Sequence, residues 1–252
     1  MTDPMTLPRI LEPELMDTAA DAREYDAMDH AAVNTQFVTD LLTALQKGGW
    51  SNYRPRVAAP ARTVAAIIGP VPFLRPVRIL DLGAGTAQIP IELARRVPPV
   101  HITAVDAAES MLALARKNVA AAGLTDRIEI VLADAKRLPF DAASFPVVIS
   151  NSIVHHIAAP PTVLAEAIRV TAPGGNLFHR DLARPHDEAQ LEVIVQTYAG
   201  DATPHQRELF ADSLRAALTL DEVRFLIAGF GFPPETAQMT SDRHWTWAAS
   251  KE

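Results

Sequence analysis

Hydrophobic and polar positions follow two rhythms along this chain. Near the start, Val33, Phe37, Leu41 and Leu45 recur every four residues. That spacing predicts an amphipathic helix, with Gly48-Gly49 as its stop. Trp50 to Pro60 reads as a loop, and Ala61 to Ile68 as a second helical segment closed by Gly69-Pro70. From Pro76 short apolar runs alternate with helical patterns. The runs predict strands over Val77–Leu82, Val100–Asp106, Arg127–Ala133, Val147–Asn151 and Asn176–Asp181. Between them, helices are predicted over Gln88–Val97, Ala108–Ala122 and Pro161–Val170. Pro90 is tolerable because it falls in a first helical turn, and Pro146 because it opens a strand. Pro173-Gly174-Gly175 reads as a turn ahead of the fifth strand. Such alternation implies a parallel sheet covered by helices on both faces.

Residues 185–218 break the alternation with two helices. Thr219-Leu220-Asp221-Glu222 has the spacing of a capping box and opens a helix that ends near Gly229. The tail offers strands over Glu235–Thr240 and Arg243–Ser250, the second alternating around Trp245 and Trp247. The expected architecture is α/β: a doubly wound, mostly parallel seven-stranded sheet with a C-terminal antiparallel hairpin and a helical cover. We divide a single expected domain into an N-terminal helical lid (1–75), a ligand-binding core (76–184), a helical cap insertion (185–218) and a last helix with its hairpin (219–252).

Composition narrows the function. The 252 residues are 48% apolar and 21% charged, as in ordinary globular proteins. No apolar run is long enough to span a bilayer. The stretch from Met1 to Pro13 carries Asp3, Arg9 and Glu12 and lacks the apolar centre of a secretory signal, so the expected location is cytoplasmic. Cysteine is absent, which excludes disulfides, thiolate metal sites and a cysteine nucleophile. The net charge is −7 and no basic stripe is visible, which argues against nucleic acid and for a small-molecule partner. Nothing in the sequence indicates an oligomeric state.

In open parallel sheets, ligands bind beyond the carboxyl ends of the strands. Those ends carry Asp81, Asp106, Asp134, Asn151 and Asp181, one for each predicted strand. The preference of Asp and Asn for turns accounts for two or three of them. Between the first strand and its helix lies Asp81-Leu82-Gly83-Ala84-Gly85-Thr86-Ala87, where glycines permit a tight turn and a close backbone approach to a ligand.

Over residues 76–182 these motifs resemble the class I S-adenosylmethionine-dependent methyltransferases, and the tail does so more loosely. The resemblance implies a Rossmann-like fold that binds S-adenosyl-L-methionine and releases S-adenosyl-L-homocysteine. It places Gly83, Ala84 and Gly85 against the methionine part, with Asp81 helping to hold the site. It sets Asp106, followed by Ala107, on the ribose hydroxyls, Asp134-Ala135 beside the adenine amino group and Met111 on the adenine ring. Asn151 falls where family members line the methyl-transfer site. Ile168-Arg169-Val170 with Pro173-Gly174-Gly175 also resembles a recurrent segment. Ala87 stands where many members have a third glycine, and Pro146 where an Asp often precedes the fourth strand.

The alternatives are an NAD(P)-dependent oxidoreductase and a non-catalytic binder of the methyl donor. The dinucleotide fingerprint G-x-G-x-x-G fails, because position 88 is glutamine. For catalysis, His155 is the first choice as a site-facing base or orienter, with Asp181 at the end of the fifth strand. Tyr25 and His30 are candidates carried by the lid. Arg180 and Arg184 could bind an anion, but ion pairing is the simpler reading. No metal is expected. The missing cysteines disfavour arsenic and cytosine C5 methylation. Ser152-Ile153-Val154 after Asn151 disfavours the amino-directed DNA and glutamine branches, and Leu182 after Asp181 disfavours the metal-dependent catechol type.

Overall fold

A computed structural model describes residues 7–12, 18, 22, 23, 26, 31–47, 77–98 and 100–252. The loop and helix expected within 50–68, and the candidates Tyr25 and His30, lie outside the described residues. In chain order the elements are α1 (Ala31–Lys47), β1 (Val77–Leu82), α2 (Gln88–Arg96), β2 (Val100–Asp106), α3 (Glu109–Ala121), β3 (Ile128–Leu132) and β4 (Phe145–Asn151). There follow a 3₁₀ turn (Val154–His156), α4 (Pro160–Val170), β5 (Thr171–Leu182), α5 (Glu188–Ala199), α6 (Pro204–Ala216), α7 (Leu220–Gly229), β6 (Ala237–Met239) and β7 (His244–Ser250).

The seven strands form one sheet in the order β3-β2-β1-β4-β5-β7-β6. β1 to β5 run parallel, and β7 is antiparallel to both β5 and β6. The strand order therefore reverses between β1 and β4, the position where α/β sheets open a crevice. Because side chains alternate across a strand, β1 feeds both cores. Ile79 joins the layer of α1, α2 and α3, whereas Leu80 and Leu82 join that of α4, α7 and the tryptophans of β7. In α1, Phe37, Leu41 and Leu45 are buried, and Phe37 meets Phe178 edge to face with ring centroids 5.2 Å apart.

The fifth strand departs from expectation. The Pro173-Gly174-Gly175 turn lies inside β5, which already pairs at Thr171 opposite Phe145. Pairing then shifts to Asn176 opposite Val147. Pro146, which has no N–H to give the ladder, sits at this irregularity. Gly174 adopts φ +69°, and its N–H donates to the Lys251 carbonyl at 2.7 Å. A Cβ on Gly175 would lie 2.7 Å from the Ala172 carbonyl oxygen. Elsewhere the capping box at Thr219 and Glu222 forms as read, and Thr203 with Gln206 forms a second. No helix among the described residues is long and apolar enough to cross a membrane.

Arg180 and Arg184 are engaged in ion pairs. Arg180 reaches Asp40 of α1 at 2.6 Å and donates to the Thr246 hydroxyl. Arg184 reaches Glu222 at 2.6 Å and donates to the Ala217 carbonyl. On the opposite face of β5 from Arg180, His179 is wholly buried against Trp247, with ring centroids 5.4 Å apart. Neither of its ring nitrogens has a hydrogen-bond partner among the described residues. Burial lowers its pKa to about 4 from 6.5.

The folded state thus keeps His179 neutral while the unfolded chain takes up a proton below about pH 6.5. Its contribution to stability is complete above that pH and is lost as the pH falls toward 4. Urea unfolding at pH 7 and pH 4 will show an acid loss on the order of 3 kcal/mol from this residue, absent in His179→Leu.

Candidate functional site

At the β1/β4 reversal lies a cleft of about 300 Å³. Its floor is the turn after β1. Three alternate residues there, Gly83, Gly85 and Ala87, have φ of 71°, 53° and 65°. Ala87 takes this left-handed conformation as the N-cap of α2. The turn is tied to β2, since the N–H groups of Gly83 and Ala84 both donate to the Val105 carbonyl at 2.9 Å. Gly83 also lies under Ile153, whose Cγ2 would be 1.8 Å from a Cβ at position 83.

Asp106 ends β2 and joins two pieces of chain. One carboxylate oxygen accepts from Gly85 N and the other from Ala108 N, both at 2.9 Å. Burial nevertheless raises its pKa, against the pull of those N–H groups. Asp81 is 2% exposed, and burial reinforced by the charge of Asp106 raises its pKa strongly. Neither acid makes an ion pair among the described residues. A cation entering the cleft would offset both penalties, because an opposite charge favours the ionised carboxylate.

Gly83, Gly85, Asp106, Ala107, Met111, Asp134, Ala135 and Asn151 line the cleft. Asp81 and Ala84 do not: Asp81 is sealed beneath the turn, and Ala84 packs toward the core. Met111 is 6% exposed and packs with Ala108. Asp134 is exposed, 3.4 Å from the Lys136 ammonium, and accepts from Lys136 N. Asn151 donates to the Ser152 hydroxyl, and Ser152 has φ 59°. Ser152, Ile153, His156 and Ile157 complete the wall after β4.

The expected site-facing histidine is displaced by one residue. His156 lines the cleft, whereas His155 is 4% exposed and stands behind it. His155 Nδ1 lies 2.5 Å from Asp181 Oδ1. Asp181 also accepts from Val154 N at 2.6 Å and from Leu182 N at 2.7 Å, so it anchors the loop from within. Burial pushes the Asp181 pKa up, but the His155 charge and these donors outweigh it and hold the group below the usual carboxylate range. Burial likewise opposes protonation of His155, and the Asp181 charge overcomes it, leaving the imidazole pKa raised.

Glu12 is an acid that the sequence reading left unassigned. Its Oε1 lies 2.9 Å from His156 Nδ1 and 3.5 Å from His155 Nε2. The Ser213 hydroxyl of α6 donates to it at 3.2 Å. Burial raises its pKa, yet the two imidazoles and this hydroxyl bring it below the usual range. Arg9 fastens the same segment, donating to the carbonyls of Ala216 at 2.6 Å, Ile157 at 2.9 Å and His155 at 3.2 Å. Two imidazoles held between two carboxylates can store a proton or take up a cation.

Residues 79–175 match the family described as "Methyltransferase domain". The chain is 36% identical to the ubiquinone/menaquinone biosynthesis C-methyltransferase UbiE of Dinoroseobacter shibae, over 61% of this chain and 70% of that protein. It is 30% identical to UbiE of Roseobacter denitrificans, but over only 62% of this chain and 66% of that protein's length. It is 28% identical to the 27-O-demethylrifamycin SV methyltransferase of Amycolatopsis mediterranei, over 82% and 74%. Among solved structures, a candidate S-adenosyl-L-methionine-dependent methyltransferase of Methanococcus maripaludis superposes with TM-score 0.65 at 18% identity, covering 96% of this chain and 97% of that one.

The turn geometry is directly testable. Gly83→Ala meets both a positive φ and Ile153, and will cost at least about 2 kcal/mol. Gly123→Ala has a similar φ of 68° but nothing within 4 Å of the new Cβ. Thermal unfolding will show a clearly larger loss for Gly83→Ala, and equal losses would refute the close approach.

Proposed function

We infer that this chain, which belongs to the class I S-adenosylmethionine-dependent methyltransferases, transfers the methyl group of its S-adenosyl-L-methionine to a small-molecule acceptor by in-line displacement. The observation that carries this reading is the acid pair Asp81 and Asp106 beside a positive-φ backbone turn. The methyl donor brings a sulfonium and an ammonium, the cations these acids lack. A dinucleotide would instead bring a pyrophosphate toward them, which disfavours the oxidoreductase alternative.

In this reading Gly83, Gly85 and the Ala84 backbone between them lie along the methionine part, with the Ala84 side chain turned to the core and Asp81 beneath them. Asp106 keeps a lone pair on each oxygen for the ribose hydroxyls after its two backbone bonds. Met111 packs on the adenine, Asp134-Ala135 meets its amino group, and Ala107 closes that side. Asn151 and Ser152 stand toward the methyl group. Alignment supplies much of the acceleration, because the leaving group is already activated; good alignment is worth about 7–11 kcal/mol. His155 and Asp181 act through position, holding the loop that presents His156 to the acceptor. Tyr25 and His30 remain candidates on the lid.

The cover over the acceptor comes from the N-terminal segment and α5–α6, consistent with Arg9 and Glu12 seated against α6 and the loop after β4. It excludes water from the transfer. A small acceptor is supported by relatives named as a ubiquinone/menaquinone biosynthesis C-methyltransferase and a 27-O-demethylrifamycin SV methyltransferase, and by the absence of a basic stripe.

S-adenosylhomocysteine at 100 times its dissociation constant will stabilise the protein by about 2.7 kcal/mol. Stabilisation by NADH instead would sink this reading. In calorimetry, Asp106→Ala will bind S-adenosylhomocysteine at least about tenfold more weakly, given the strength of charged hydrogen bonds. An unchanged affinity would remove Asp106 from the ribose.

A further inference from the structure

Beside the cleft, three side chains from distant parts of the chain bring ligating atoms together. Glu12, His155 and His156 each offer one, and all lie within 4.8 Å of one another. We propose that Glu12, His155 and His156 form a binding site for a divalent transition-metal ion at the acceptor end of the cleft.

The spacing fits. Metal bonds of about 2.0–2.2 Å at tetrahedral or octahedral angles set neighbouring donor atoms about 2.9–3.6 Å apart. The two imidazole nitrogens stand 2.9 and 3.5 Å from the same carboxylate oxygen. His156 Nδ1 is buried and satisfies no hydrogen-bond geometry, although it is close enough to Glu12 for one. A cation between the three groups satisfies all of them at once. Two imidazoles and one carboxylate suit zinc, iron(II) or cobalt(II), which favour nitrogen with oxygen, and leave further positions open.

The surroundings are those of a ligand set held in place. Ligating histidines commonly donate their second ring N–H to a carboxylate, which orients the other nitrogen toward the metal. Here Asp181 takes His155 Nδ1, leaving Nε2 toward Glu12. Asp181 is itself fixed by two backbone N–H groups. Glu12 is steadied by Ser213, and its segment by Arg9. The sequence reading expects no metal. The structure puts Asp181 behind the site and Glu12 in front of it. His156 borders the cleft, so an ion held here would lie next to the space open to small molecules. An acceptor oxygen could occupy one of its open positions, where a metal lowers its pKa so that its proton is lost to solvent before the cover closes; this consequence, unlike the site itself, rests on the methyl-transfer reading.

The test is cobalt(II) titrated into tag-free protein stripped with EDTA, without methyl donor, followed by visible absorption and calorimetry. We expect one equivalent bound, with d–d bands shifted from those of the aqueous ion. Glu12→Gln will weaken binding by more than the roughly 10–100-fold typical of outer-shell changes. Its fold is checked by whether S-adenosylhomocysteine still raises its melting temperature, since Glu12 does not line the cleft. His156→Asn, verified by near-UV circular dichroism, will weaken binding similarly. Failure of the parent protein to bind a stoichiometric ion overturns the proposal, as does undiminished binding in folded Glu12→Gln. If cobalt binds as expected but S-adenosylhomocysteine stabilises nothing, the metal site stands and the methyl-transfer reading falls.

Discussion

Every feature of the cleft depends on one topological constraint. Once β2 lies beside β1 and β3 beside β2, the next parallel strand can reach a buried place only on the other side of β1. The loops leaving β1 and β4 are then driven apart, toward opposite faces of the sheet, and the space between their bases cannot be filled by either. The backbone exploits the gap. Gly83 turns in a conformation that leaves no room for a Cβ under Ile153, so the two loops meet at the floor and diverge above it. The cleft is thus a by-product of strand order, and its chemistry is set by the residues at the strand ends.

Those residues carry an electrostatic cost that the protein does not settle internally. Asp81 and Asp106 are pressed into a region that resists negative charge, and the charge of Asp106 adds to the cost of ionising Asp81. Asp181 is as deeply buried yet holds its charge readily, because an imidazole and two N–H groups face it. The contrast separates two uses of a buried acid. Asp181 is satisfied and structural in its contacts, whereas the pair at the cleft makes no ion pair among the described residues.

Much of this was legible in the sequence because it is local. Glycines encode the turn dihedrals, apolar runs encode the strands, and an acid at the end of a run must lie at a sheet edge. The capping box at Thr219 involves four consecutive residues and reads correctly for the same reason. Three things escaped. The Pro173-Gly174-Gly175 turn signal was overridden by pairing at Thr171 and by the bonds of Gly174 and Gly175 with Lys251. The preference for His155 missed the 3₁₀ turn, which swings successive side chains about a third of a revolution, burying His155 and presenting His156. Glu12 and Arg9 could not be assigned, because their partners lie between 143 and 207 residues away and no local pattern announces them.

Arg9 sets an order of events. Its guanidinium rests on carbonyls of His155, Ile157 and Ala216, the last of which belongs to the end of α6. During synthesis the sheet through β5 can assemble, with its crevice open, while α6 is still being added. The N-terminal segment has nowhere complete to dock until that later helix emerges. The strap therefore joins segments made far apart in translation, and it cannot be completed before α6 has been made.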